Sequence, residues 1–128
     1  MFVRFVVPWI DPDSGERTGL FAAMHRLKSD RVLSVVQEAH WNDVRAWFET
    51  NLNAPDRLTR SAYPRAKNTA ISWFKDTATE HVRRMHEVAE MLRAHDVPVE
   101  IIRTSRPGYV LYEDEFQVTA EPFKDSRA

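Results

Sequence analysis

The stretch from Thr77 to His95 sets the tightest limit on how this chain folds. Ala78, Val82, Met85, Ala89 and Leu92 step by four, three, four and three residues, which makes one apolar stripe along an α-helix. A β-rich run, Thr69 to Lys75, precedes it, and a second, Val97 to Thr104, follows it. A helix with a single apolar face between two strands has to lie on a sheet. The spacing therefore predicts a packed β–α–β layer over Thr69 to Thr104, joined as a right-handed parallel crossover.

The rest of the chain extends that layer. Phe2 to Ile10 is rich in Phe and Val, with bulky residues on both faces, and reads as a strand covered on both sides. "DPDSGERTG" carries two of the three glycines and reads as a loop. Helical spacing then runs from Leu20 to about Leu52. Leu20, Met24 and Leu27 line a first helix, and Trp41, Val44, Phe48 and Leu52 recur further on. Ser29 and Asp30 are candidate caps, and Asn42 and Asp43 could start a new helix, so residues 30–52 are read as either one helix or two. Pro107-Gly108 suits the centre of a type II turn. "YVLY" and "EFQVTAEPF" form a hairpin around Glu113 and Asp114. On its last strand Phe116, Val118 and Ala120 alternate with Gln117, Thr119 and Glu121, the pattern of a half-exposed strand, whereas Tyr109 to Tyr112 reads as the deeper one.

The expectation is an α/β protein: a mixed five-stranded sheet packed with three to four helices, in the order β-α-α(-α)-β-α-β-β-β. One domain spans residues 1–123, and 124–128 form a frayed tail. At 43% hydrophobic residues, the chain has enough apolar side chains for a core without disulfides.

Charge and residue usage narrow the function classes. Eighteen basic and 19 acidic residues leave a net charge of −1, so no global field favours nucleic acid or an anionic membrane. Cysteine is absent, which removes disulfides, thiol catalysis and Cys-type zinc sites. The opening "MFVRFVVPWID" is interrupted by Arg4 and is too short to span a bilayer, so the expected location is cytoplasmic, with no membrane partner.

Catalytic and cofactor patterns fail one by one. Gly15, Gly19 and Gly108 cannot make a phosphate-binding glycine loop, and no G-x-S-x-G elbow is present. Asp11 and Asp13 begin like a calcium loop, but Glu16 stands where its glycine belongs and Ala22 where its last ligand belongs. His81 and His86 are five residues apart, about 140° round a helix, so they flank the apolar stripe on opposite sides. No metal or cofactor is expected, and the reading leans away from catalysis.

Two local features remain. At the junction "ISWFKDTATEH", Lys75 and Asp76 fall at a strand end beside a helix start, where α/β proteins place ligands. Together with His81 they are the acid–base or anion-binding candidates of a small enzyme with its site over residues 73–81. Against this, Thr77 and Glu80 have capping-box spacing and would close the helix start themselves. The loop "RLTRSAYPRAK" holds Arg57, Arg60, Arg65 and Lys67 around Tyr63 with no acid among them, a pattern that can grip a phosphate backbone and stack a base. The same cations could instead pair with the acidic turn Glu113–Glu115. The favoured expectation is a small binding or accessory domain that acts through a protein or small-ligand surface, with a homodimer open to it. Trp73 and Tyr112 join the loop residues as binding candidates. A nucleic-acid binder using the loop 57–67 is the alternative.

Overall fold

The structure, a computed structural model, describes residues 1–12, 15–54 and 70–123. The expected loop binding residues Arg57, Arg60, Tyr63, Arg65 and Lys67, and the expected frayed tail 124–128, lie outside the described residues. The elements run β1 (Phe2–Ile10), β2 (Arg17–Gly19), α1 (Leu20–Ser29), α2 (Val35–Asn51), β3 (Ile71–Lys75), α3 (Thr79–Arg93), β4 (Glu100–Thr104), β5 (Tyr109–Glu113) and β6 (Gln117–Glu121).

The α/β class is as expected, and the described residues contain six strands rather than five. The extra one, β2, comes from the glycine-bearing loop, which turns back and pairs with the far half of β1 (Val6 opposite Gly19, Ile10 opposite Arg17). All described pairings are antiparallel. β3 and β4 both run against β1, so they are parallel to each other, and the β3–α3–β4 crossover is present with β1 lying between its two strands. A crossover helix spans such a gap as readily as it joins neighbours.

Register fixes where the sheet opens. β4 pairs with Phe2 through Val6, β3 with Phe2 and Val3, and β2 with Val6. A strand has two edges, so β4 takes one edge of β1, and β2 and β3 share the other. On that shared edge, among the described residues, Arg4 and Phe5 have no strand opposite them. β1 and β3 diverge there, and the sheet is split between them.

The helices lie on one face. Val3, Phe5 and Val7 of β1 pack against Leu20, Met24 and Leu27 of α1, Trp41, Val44 and Phe48 of α2, and Met85, Val88, Ala89 and Leu92 of α3. The stripe read from the sequence is thus the buried face of α3, with Val82 partly buried beside it. A smaller cluster of Ile71, Trp73 and Val118 occupies the other face of the sheet.

Three local expectations change. Residues 35–51 form one helix, which starts at Ser34: the Ser34 Oγ accepts from the Gln37 N–H (3.1 Å) and the Gln37 Oε1 accepts from the Ser34 N–H (2.9 Å). The Thr77–Glu80 capping box does not form. α3 begins at Thr79 with Ala78 as its cap residue, and the Glu80 carboxylate is engaged by Arg83 and Arg84 instead. Hydrogen bonding from Arg83 above all holds the Glu80 carboxyl below its ordinary value. Finally, the two C-terminal strands exchange roles. β6 is flanked by β3 and β5 and is buried from Gln117 to Ala120, whereas β5 is an edge strand that exposes Tyr109 and Val110.

Among the described residues, no helix is long and apolar enough to cross a membrane.

Candidate functional site

The strand–helix junction does not assemble the expected triad. The Lys75 Nζ pairs with Glu113 at 2.7 Å, and Asp76 pairs with the N-terminal ammonium at 3.5 Å. His81 turns inward and is 4% exposed. Its Nε2 lies 2.8 Å from the Asn51 carbonyl, which can only accept, so the ring carries its proton on Nε2. Trp47, Phe48, Phe74 and Phe116 surround the ring, with centroids 4.3 to 6.2 Å away. His81 therefore ties α3 to the last turn of α2 and anchors Phe48. It does not face a shared cavity with Lys75 and Asp76.

The cavity lies elsewhere, on the helix side of the sheet split. Ser72 is the second residue of β3, between β1 and β6, yet it is exposed to solvent. Its cross-strand partner Thr119 is 4% exposed, and Gln117, two residues along β6, is 3% exposed. An exposed position in mid-sheet, on the face that carries the helices, is the floor of an opening between them.

The opening has two parts. An outer cleft of about 520 Å³ runs along the C-terminal half of α2, lined by Phe21, His25, Arg45, Phe48, Glu49, Leu52, Asn53, Ala54, Ser72 and Gln117. An inner chamber of about 200 Å³ enters the sheet split, lined by Arg4, Phe5, Gly19, Leu20, Phe21, Leu52, Ser72, Trp73, Phe74, Met85 and Gln117. Phe21, Leu52, Ser72 and Gln117 belong to both, so the two volumes meet at a waist formed by these side chains. On the opposite face of the sheet a hollow of about 170 Å³ shares Arg4 and Trp73 with the chamber and adds Glu16, Ile102 and Arg106.

Hydrogen bonds fix the polar floor. The Ser72 and Thr119 hydroxyls are 2.8 Å apart. The Gln117 Nε2 donates to the Asn53 carbonyl (2.6 Å) and to the Asp114 Oδ2 (3.1 Å), joining the chain after α2 to the β5–β6 turn. Asp114 Oδ2 also accepts from the Tyr112 hydroxyl (2.8 Å), and its Oδ1 accepts from the N–H groups of Phe116 (2.8 Å) and Gln117 (3.1 Å). Tyr112, one of the expected binding residues, thus holds the turn that holds Gln117. Trp73, another, is a chamber wall.

Burial alone would raise the Asp114 carboxyl, but the Phe116 N–H, the Gln117 amide, the Tyr112 hydroxyl and the Gln117 N–H together hold it below the ordinary aspartate value. A carboxyl depressed in the folded state contributes stability that is complete above its unfolded value, near pH 4, and is lost as pH falls through the lower folded value. Asp114→Ala should therefore cost about 1–3 kcal/mol at neutral pH. The gap to the unmodified protein should stay level from pH 7 to about pH 5 and narrow below about pH 4. Urea unfolding across that range measures it.

Several of these residues carried no sequence signal as a site. Ser72 is an ordinary mid-strand serine by its sequence context, and it pairs with Thr119 while remaining exposed. Gln117 and Thr119 looked like the solvent face of an outer strand. Arg4 looked like a charge interrupting an apolar run. His25, Arg45, Glu49 and Asn53 lie on helix surfaces, where polar residues are ordinary. The one usable sign was polarity on the strand that proved to be central: β6 is buried yet keeps Gln117 and Thr119. Compared with family models, curated proteins and solved structures, the chain matches none, so the case for this site rests on its own geometry.

Proposed function

We propose that this protein is a small-ligand-binding domain and that the joined cleft and chamber are its ligand seat. The observation that carries this is the waist at Phe21, Leu52, Ser72 and Gln117, where a polar-rimmed cleft opens into an apolar chamber. Ligand sites combine an apolar body with a few placed polar groups in this way, and the outer cleft falls within their usual volume range. The floor groups are held by hydrogen bonds within the protein itself, which lowers the ordering cost of binding. Ser72 engages a hydroxyl rather than a base, so the floor offers binding groups more than an activated nucleophile.

Titrating isotope-labelled protein with benzyl alcohol tests the reading. Saturable amide shifts should concentrate on Phe21, Leu52, Ser72 and Gln117 and vanish in Ser72→Phe, whose ring would fill the waist. Circular dichroism checks that the variant is folded. No saturable shift at these residues, or equal shifts in a folded Ser72→Phe variant, would overturn the proposal.

A further inference from the structure

The polar groups at the waist bear on the chemistry of the ligand, an inference that rests on reading the cavity as a ligand seat. Ser72 lies opposite Thr119, and Phe74 opposite Gln117, across the β3–β6 pair. Residues so placed share a face of the sheet. Phe74 packs against the helix-side core, so Ser72, Thr119 and Gln117 all lie on the face that carries the helices. Gln117 is 3% exposed and lines both the cleft and the chamber. Its Nε2 donates to the Asn53 carbonyl and to the Asp114 carboxylate, two groups that only accept, so the amide is held with its nitrogen toward them. Both amide hydrogens are then used, and the Oε1 has no donor among the described residues. Buried polar atoms are nearly always satisfied, so an acceptor held open beside a cavity invites a donor there. Ser72 supplies the opposite sense. Thr119 is 4% exposed, and among the described residues its hydroxyl meets only that of Ser72. Leaving no buried hydrogen unpaired requires Thr119 to donate and Ser72 to accept. The exposed Ser72 hydroxyl then donates into the cavity.

We infer that the seat takes a small uncharged ring amide, its ring among Phe5, Leu20, Phe21 and Met85, its N–H on the Gln117 Oε1 and its carbonyl on the Ser72 hydroxyl. An amide carries a donor and an acceptor on one planar unit, which is the complement of this pair. Ser72 and Gln117 are diagonal neighbours on adjacent strands, about 7–8 Å apart between Cα atoms. Two hydrogen bonds of about 2.9 Å each reach across such a gap to one amide. At about 30 Å³ per water, the chamber's volume matches roughly seven waters, room for a single substituted ring. Charge is disfavoured. Arg4 alternates with Phe5 along β1, so its guanidinium lies toward the other face of the sheet, where its Nη2 donates to the Arg17 carbonyl. On the helix side the chamber walls are apolar, and an ion there would lose hydration without a counter-ion.

The test compares three probes of one shape by amide-shift titration: benzamide, acetophenone and benzoate. Acetophenone keeps the ring and the carbonyl but has a methyl group in place of the amide nitrogen, so it leaves the Gln117 Oε1 without a donor. Benzamide should therefore bind about tenfold more tightly than acetophenone. Benzoate, which brings a second acceptor and a charge to the same place, should bind weakest. Ser72→Ala should weaken benzamide and acetophenone by a similar factor, about three- to tenfold, and preserve their ratio, because both use the hydroxyl. Gln117→Met should instead bring the ratio close to one. Comparing probes on the unmodified protein does not depend on either variant folding. If all three bind at the waist with similar affinity, or if benzyl alcohol binds there and benzamide does not, the cavity is a ligand seat and the amide assignment is wrong. If neither these probes nor benzyl alcohol binds there, both readings fall.

Discussion

Gly108→Ala is expected to remove about 3 kcal/mol or more of folding free energy, the larger part of it steric. Gly108 has φ +138, a backbone conformation that L side chains rarely adopt. Holding a non-glycine residue in such a region costs on the order of 1–3 kcal/mol by itself. Space is the greater obstacle. A Cβ at this position would lie 2.1 Å from the Glu121 carbonyl oxygen and 2.7 Å from its carbon, and both are backbone atoms that no rotamer change can move. Relief requires β5 and β6 to separate at their open end, where Tyr109 pairs with Glu121. Gly19 supplies the contrast. It is the cap residue of α1 at φ −74, and among the described residues no atom beyond its chain neighbours lies within 4 Å of an added Cβ. Gly19→Ala should cost no more than about 1 kcal/mol, through the weaker capping of alanine. Denaturant midpoints for the two variants, measured together, settle the matter. Equal losses would mean that the β5–β6 contact does not exclude a side chain as drawn.

What the sequence makes legible and what it hides divide along one physical line. Periodicity is a local property, and the local elements follow it. The four–three stripe from Ala78 to Leu92 marks the buried face of α3. The apolar run Phe2–Ile10 marks a strand, buried against the helices through Val3, Phe5 and Val7 but open on its other face at Pro8 and Ile10, and Glu113–Asp114 marks a hairpin. Strand order is a non-local property, and the reading of β5 and β6 fails on it. Alternation of Gln117 and Thr119 with Val118 and Ala120 describes a strand with one polar face, and it is silent on whether that face meets water or a partner. Here it meets Ser72, Asn53 and Asp114, so burial costs little and the polar residues become a cavity floor. Arg4 is hidden for a related reason. One charge in a strand looks like an interruption until the register shows that β1 loses its β3 neighbour beside it. The junction residues Lys75 and Asp76 sit at a favourable topological position, yet each has an exposed or half-exposed ion partner that needs no ligand.

A second large effect is expected at Trp41, and its two substitutions should separate sharply. Trp41 is fully buried, behind residues that line the cleft. Phe21 and His25 meet its ring edge-on, with centroids at 5.2 and 6.0 Å, and the Arg45 guanidinium lies 5.9 Å from it. All three neighbours line the cleft. Trp41→Ala removes a large ring from a packed interior, a change that costs about 3–5 kcal/mol because the surroundings only partly collapse into the cavity. It should also free Phe21, which then swings across the waist and weakens binding of any ligand there. Trp41→Phe is a different experiment. Among the described residues the buried indole N–H has no acceptor, so phenylalanine discards an unsatisfied donor while it loses volume. These two contributions oppose each other, and the net cost should stay below about 2 kcal/mol. Thermal unfolding and benzyl alcohol titration of both variants give the answer. Trp41→Phe losing as much stability as Trp41→Ala would show that the indole N–H has a partner after all, and that the wall behind the cleft is held by a hydrogen bond rather than by packing.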